Sequence, residues 1–249
     1  MPMERIRRFI RELSERQWLE SVSLRDWSIT RSTYVVPGVY ENSAPYTEGE
    51  DFDRFPSKQG TTYFFRRRLE LPKEWLEEAG TVGLIFESGG EGLLRVNGAS
   101  YQGLDRNHTF VTLDPQRTGT RMELEIELYD PIPEPVDPLN QQAVIQPPIT
   151  RVSSQLVKVN RPVQSLMYTV TIVRDSLRLL PESDMRRIRL MEALHASMDA
   201  FVSMDEGSIR EGAAVTELEQ ELVRRVKLIG GNSEGTEHMV GQSHIDIAW

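Results

Sequence analysis

His244 and Asp246 are the residues of this chain whose types and spacing best suit metal chemistry. Side chains at positions i and i+2 of a β-strand leave the same face, so both could point at one ion while Ile245 and Ile247 enter the opposite face. An imidazole and a carboxylate suit zinc or a similar divalent metal. The pair alone is also compatible with a chance His-x-Asp on a polar tail, so the context of the motif matters.

The context is a β-prone Met239-Val240 before the pair and Trp249 after it. The segment 241–249 resembles the first zinc-binding motif of the glycoside hydrolase family 38 α-mannosidases, which lies at the end of the first barrel strand. The resemblance implies that His244 and Asp246 ligate zinc and that Trp249 stacks against a sugar. Gln242 departs from the family pattern, which usually has another histidine there.

The resemblance extends over residues 60–249 and concerns the cytosolic, bacterial and vacuolar branch of that family. Each supporting segment is weakly specific, but the segments occur in the expected order. They are Tyr63-Phe64-Phe65-Arg66-Arg67, Leu71-Pro72, Gly89-Gly90-Glu91-Gly92, Val96-Asn97-Gly98, Tyr101 to His108, Tyr129-Asp130-Pro131 and Val159-Asn160-Arg161.

The resemblance implies the N-terminal portion of a zinc-dependent retaining α-mannosidase. Its partner would be a mannose-containing glycan, and the full-length protein could be a homo-oligomer. Retaining hydrolysis needs two carboxyl groups about 5 Å apart across the scissile bond, and the sequence offers no such pair. The nucleophile and the acid/base would lie beyond Trp249, so this chain alone is expected to be inactive.

Composition excludes several other classes. The chain has 249 residues and a formal net charge of −9, and its pI is about 5.1, which disfavours nucleic acid and anionic lipid as partners. No stretch approaches the length of a membrane span, and the N-terminus lacks the apolar core of a secretory signal. The absence of cysteine excludes disulfides and thiolate chemistry, and a cytoplasmic location is expected.

The first 60 residues are predicted to hold one helix and an irregular wrap. Ile6, Phe9, Ile10 and Leu13 fall at helical spacing, which indicates a short amphipathic helix. Residues 21–60 show no sustained period. Their aromatic side chains either pin the wrap onto a sheet or line a sugar groove: Trp27, Tyr34, Tyr40 and Tyr46.

Residues 61–160 show the period of β-strands. Turn signals separate the candidate strands, and Asn97-Gly98 is typical of a type I′ hairpin. The segment 89–92 is rich in glycine but opens no helix, so it is interpreted as a loop rather than a phosphate cradle. The predicted strands are Thr61 to Leu71, Thr81 to Glu87, Gly92 to Val96, His108 to Leu113 and Arg121 to Tyr129.

Proline-rich residues 130–138 should end the sandwich, residues 140–160 look extended, and a helical period begins after Pro162. Two helices are expected over 185–201 and 215–229, with Ser183 as N-cap and Gly230-Gly231 as the stop. His195 is interpreted as a satisfied packing residue rather than a metal ligand.

The predicted fold class is therefore multidomain α+β. A wrap (1–60) precedes an antiparallel β-sandwich of jelly-roll, galactose-binding-like type (61–160), followed by linking helices (161–232) and the first strand of a truncated (β/α) barrel (233–249).

Two alternatives stay open. The chain could be a non-catalytic carbohydrate-binding or assembly module, in which the polar and aromatic cluster at 101–108 contacts a glycan or closes against a further domain. It could also be a generic sandwich-plus-helices protein without a sugar function.

Overall fold

The computed structural model describes residues 2–76, 81–132 and 148–229. Within these ranges the chain forms two compact units, one of residues 15–161 and the other of residues 2–14 together with 162–229. Each unit has its own hydrophobic core.

The first unit is built from β-strands, with one short α-helix, α2 (Pro115–Thr118), between the eighth and ninth of those described, and three short 3₁₀ helices at Thr47–Glu50, Phe52–Arg54 and Lys73–Trp75. The strands are β1 (Trp18–Ser23), β2 (Ser28–Val36), β3 (Val39–Pro45), β4 (Thr61–Glu70), β5 (Val82–Glu87), β6 (Glu91–Val96), β7 (Ala99–Leu104), β8 (Phe110–Thr112), β9 (Arg121–Tyr129) and β10 (Ser153–Val159).

These strands form two sheets, with the orders β1-β10-β5-β8 and β3-β2-β4-β9-β6-β7. Every pairing described is antiparallel. The inner faces share one core, in which the rings of Phe65 and Phe86 lie 5.3 Å apart, centroid to centroid. The predicted antiparallel β-sandwich is confirmed.

The predicted strands correspond to β4, β5, β6, β8 and β9. The hairpin signal between β6 and β7 is also confirmed, because Asn97 and Gly98 both have positive φ angles, 51° and 79°, as a type I′ turn requires. The segment at Gly89 is a loop between β5 and β6, as expected.

The prediction of an irregular wrap over residues 21–60 is wrong, because this segment contains β2, β3 and part of β1. β2 was missed because its core-facing Ile29 is its only buried apolar residue, so the strand lacks an alternating apolar pattern. β3 is an edge strand with no fully buried residue. β10 lies in the segment expected to be extended, where it pairs with β1 and β5.

The second unit is helical in its described part. It contains α1 (Pro2–Arg16), α3 (Arg161–Leu179), α4 (Met185–Val202), α5 (Glu206–Glu211) and α6 (Ala213–Ile229). The expected amphipathic helix is α1, whose Ile6, Phe9 and Leu13 are buried in the core of this unit. The N-cap of α4 is Asp184 rather than Ser183, since the Asp184 side chain accepts the backbone N–H of Arg186.

In the described ranges no helix is both long enough and apolar enough to cross a membrane. The predicted helix stop at Gly230-Gly231 and the predicted barrel strand at 233–249 lie outside the residues that the structure describes.

Candidate functional site

The three residues predicted to form a metal and sugar site, His244, Asp246 and Trp249, lie outside the described residues. Zinc binding by this pair therefore stays a prediction. Among the residues that the structure does describe, no group of three or more His, Asp and Glu side chains could hold a metal ion.

The polar cluster at 101–108 is used mainly for local structure. The Tyr101 hydroxyl donates to the carbonyl of Thr112 at 2.9 Å and accepts the backbone N–H of Asp114. The Asp105 carboxylate accepts the backbone N–H groups of Asn107 and His108. Its hydrogen bond with the His108 ring, 3.0 Å from Nδ1, lowers the pKa of Asp105. These bonds shape the loop between β7 and β8.

The four aromatic side chains of the N-terminal segment divide into two pairs. Trp27 and Tyr46 are buried in the sandwich core. Tyr34 and Tyr40 instead meet edge to face, with ring centroids 6.0 Å apart, and Tyr40 packs at 4.9 Å against Phe64. Phe64 points away from the core because its strand neighbours Tyr63 and Phe65 point into it.

The outer face of the six-stranded sheet carries paired arginines and glutamates. Even-numbered residues of β4 and odd-numbered residues of β9 face outward. The register between the strands places outward residues of opposite charge side by side. The directly opposed outward pairs are Arg66 with Glu125, Arg68 with Glu123, Glu70 with Arg121 and, from β6, Arg95 with Glu125.

This face forms the polar trough, which we define as three open depressions of about 540, 380 and 500 Å³. The first and second share Arg66 and Glu125, and the second and third share Arg68 and Glu123. The lining of the first depression combines hydroxyl, aromatic and charged side chains: Thr30, Ser32, Gly38, Tyr40, Ser43, Phe64, Arg66, Arg95, Glu125 and Glu127.

Every charged side chain in the first depression is held by another. The Arg95 Nη1 lies 2.7 Å from Glu127 Oε2 and 3.5 Å from Glu125 Oε1. The Arg66 Nε donates to Glu125 Oε2 at 2.6 Å, and the Tyr40 hydroxyl donates to Glu127 Oε1. Both glutamates are therefore fixed through both of their carboxylate oxygens.

The surroundings of Arg95 and Tyr40 in the trough raise the pKa of both side chains. Burial works against the charge of Arg95, but the hydrogen bond and the charge of Glu127 outweigh it and raise the pKa of Arg95. Burial and the hydrogen bond to Glu127 raise the pKa of Tyr40 to about 12. At neutral pH Tyr40 is thus a hydroxyl donor beside a fixed ion pair.

The sequence contains a signal for part of this site. Glu123, Glu125 and Glu127 alternate with apolar residues, which marks one polar face on the predicted strand Arg121 to Tyr129. Arg66, Arg67 and Arg68 of β4 are consecutive, so the sequence does not show which of them face outward. The register between those strands, and the addition of Tyr40 from a strand that was not predicted, require the folded structure.

His195 was expected to be a satisfied packing residue, and this is only partly right. Its ring is half-buried on α4, but among the described residues its Nε2 has no hydrogen-bond partner. The ring lines a shallow depression of about 190 Å³ with Glu182, Arg187, Glu192 and two apolar side chains.

Comparison with known proteins gives no match to a family model and no match to a curated protein. Among solved structures, the chain is similar to the GH2 β-galacturonidase from Eisenbergiella tayi bound to galacturonate. The identity is 16%, the TM-score is 0.36, and the match covers 56% of this chain and 24% of that one. A β-glucuronidase from Ruminococcus gnavus matches at 12% identity and a TM-score of 0.33, over 57% of this chain and 30% of that one.

The comparison corrects the expected membership of glycoside hydrolase family 38. Both structural neighbours are β-glycosidases acting in the uronic acid series by name, one of them a family 2 enzyme, and neither is an α-mannosidase. The family prediction from residues 60–249 is therefore wrong. The matched part of the chain spans only 24% and 30% of the length of these neighbours.

Proposed function

We propose that the sandwich of residues 15–161 is a non-catalytic, carbohydrate-binding domain of a glycosidase, and that the polar trough is its ligand site. The observation that supports sugar binding is the composition of the first depression of the trough. It sets the Tyr40 and Phe64 rings beside a fixed network of arginine, glutamate and hydroxyl groups.

The size and lining of the depression support a sugar ligand. Its volume of about 540 Å³ falls in the range of about 300–1,000 Å³ that is usual for small-molecule sites. A sugar ring offers hydroxyl groups that both donate and accept, together with apolar C–H faces. The hydroxyls of Thr30 and Ser43, the guanidinium groups and the carboxylates can bond to the sugar hydroxyls. The ring of Tyr40, which packs on the buried Phe64, can contact the C–H face.

The same network supports binding rather than hydrolysis. A glycosidase needs a carboxylic acid that holds a proton until the leaving group takes it. Glu125 and Glu127 instead each contact an arginine within 2.7 Å, so both carboxylates are already engaged in ion pairs. These two glutamates are therefore suited to accepting hydrogen bonds from sugar hydroxyls.

The test is binding of the full chain to a glycan array, followed by calorimetric titration with the best neutral oligosaccharide. Tyr40→Ala and Arg95→Gln should each weaken binding at least about tenfold, which corresponds to the loss of about one hydrogen bond to a charged group.

The matched control is Arg151→Gln. Arg151 is an exposed arginine that pairs with Asp53 at 3.8 Å and lines none of the three depressions. The Arg151→Gln substitution should leave glycan binding unchanged. Circular dichroism should show that all three variants are folded. Absence of glycan binding, or binding unaffected by both trough variants, would contradict the proposal.

A further inference from the structure

The charges of the first depression of the polar trough cancel. Arg66 and Arg95 supply two positive charges, and Glu125 and Glu127 supply two negative charges. The contacts between them measure 2.6 to 3.5 Å, so neither sign of charge is left without a nearby opposite.

The network nevertheless keeps hydrogen-bonding capacity for a ligand. A guanidinium carries five N–H donors, and a carboxylate oxygen has about two lone-pair sites. Arg95 uses only Nη1 in its contacts with Glu125 and Glu127. Arg66 uses Nε for Glu125 and Nη1 for Thr30. The trough thus offers donors and acceptors in alternation, which is the pattern that hydroxyl groups match.

A ligand carboxylate would meet a different environment. It could approach Arg66 or Arg95, but each of these arginines already has a glutamate within 2.7 Å. The added negative charge would lie close to Glu125 and Glu127, and like charges at such separations repel each other. A positively charged ligand would likewise be repelled by Arg66 and Arg95.

We infer that the polar trough selects neutral sugars and rejects uronic acids, through the balance between Arg66 and Arg95 on one side and Glu125 and Glu127 on the other. This inference rests on the proposed carbohydrate-binding function. It names the class of ligand, and it assigns Glu125 and Glu127 a second role as the residues that exclude anionic sugars.

The experiment compares matched sugars that differ only at C6. The full chain is titrated with methyl β-glucoside and methyl β-glucuronide, and with the corresponding galactose pair, while amide NMR shifts report whether β4 and β9 are contacted. We expect the neutral member of at least one pair to bind about tenfold more tightly than its uronide. Because the ligand is neutral, its affinity should change little between low and high salt.

Two charge variants sharpen the test. Glu125→Gln gives the depression a net positive charge and should close or reverse the preference against the uronide. Arg95→Gln gives it a net negative charge and should widen that preference. Glu87→Gln, at an exposed glutamate of β5 in the other sheet, is the control and should leave the preference as in the unmodified chain.

The outcomes separate this inference from the proposed function. Tighter binding of a uronide than of its neutral partner in the trough overturns the selection inferred here but leaves the carbohydrate-binding function standing. An unchanged preference in a folded Glu125→Gln variant also overturns the inference. If no sugar binds the trough, the proposed function fails together with it.

Discussion

At the scale of single residues, Asp130 is a carboxyl group buried in the sandwich. The side chain is fully buried, and the partners that the structure gives it are neutral, namely the Ser57 hydroxyl and the backbone N–H of Ile149. Ser57 Oγ also lies 2.5 Å from the carbonyl of Ile149.

Burial raises the pKa of Asp130, against the opposing effect of the hydrogen bonds from Ser57 and Ile149. The folded state therefore holds the proton to higher pH than the unfolded chain does. The contribution of Asp130 to the free energy of unfolding is complete below its ordinary pKa of 3.8. It is lost as the pH rises through the raised pKa.

Asp130→Asn should therefore stabilise the sandwich at neutral pH, by about 1 kcal/mol, because the amide can reproduce the hydrogen bonds without a buried charge. The advantage should shrink toward pH 4. Urea unfolding of both proteins across this range measures the difference, and Asp53→Asn, at an exposed aspartate, serves as control. A variant that is destabilised equally at every pH would show that Asp130 is ionised in the fold.

The residues of the trough illustrate what sequence can reveal at this scale. The polar alternation of β9 identifies Glu125 and Glu127 as residues on its solvent-facing side, but not as the partners of Arg66. Pairing depends on register, and a shift of one residue would send all of these side chains to the other face. The burial of Asp130 was even harder to predict from the sequence, because it depends on Ser57 and Ile149, which are distant from Asp130 along the chain.

At the scale of elements, the turn of the β6–β7 hairpin was the best predicted feature because its chemistry is local. Asn97 and Gly98 close the β6–β7 hairpin with positive φ angles, and the Asn97 side chain also donates to the carbonyl of Thr118 at 3.0 Å. Strands that present polar residues on one face and lie at a sheet edge, such as β3, carry no comparable local signal. Their formation depends on neighbours distant in sequence.

Gly98→Ala should destabilise the sandwich by about 1 kcal/mol because an L-residue at this φ is strained. The position has φ +79° and nothing within 4 Å of an added Cβ, so the cost would come from the backbone alone. Gly103→Ala is the matched control in β7. Its added Cβ would have its nearest neighbour at 4.0 Å, so the substitution should hardly change the free energy of unfolding. Equal midpoints of thermal unfolding for the two variants would contradict the turn assignment.

At the scale of the whole molecule, the helical unit is discontinuous in sequence. Residues 2–14 belong with residues 162–229, whereas the sandwich is formed by the chain between them. In α1, Leu13 is fully buried in the helical core, and Phe9 meets Phe201 of α4 edge to face at 5.4 Å. The periodicity of α1 predicts that one stripe is buried, but local sequence cannot specify helices about 150 residues away as the partner.

Leu13→Ala should therefore destabilise the helical unit, by about 3 kcal/mol for a fully buried leucine that leaves a cavity. Three of the four tryptophans, Trp18, Trp27 and Trp75, lie in the sandwich unit. In a Trp249→Phe background their fluorescence follows the sandwich, while circular dichroism at 222 nm follows mainly the helices. We expect Leu13→Ala to lower the helical midpoint, and Arg8→Ala, at an exposed position of the same helix, to leave it unchanged. An unchanged helical midpoint in Leu13→Ala would refute the assignment of α1 to the core formed by α3 to α6.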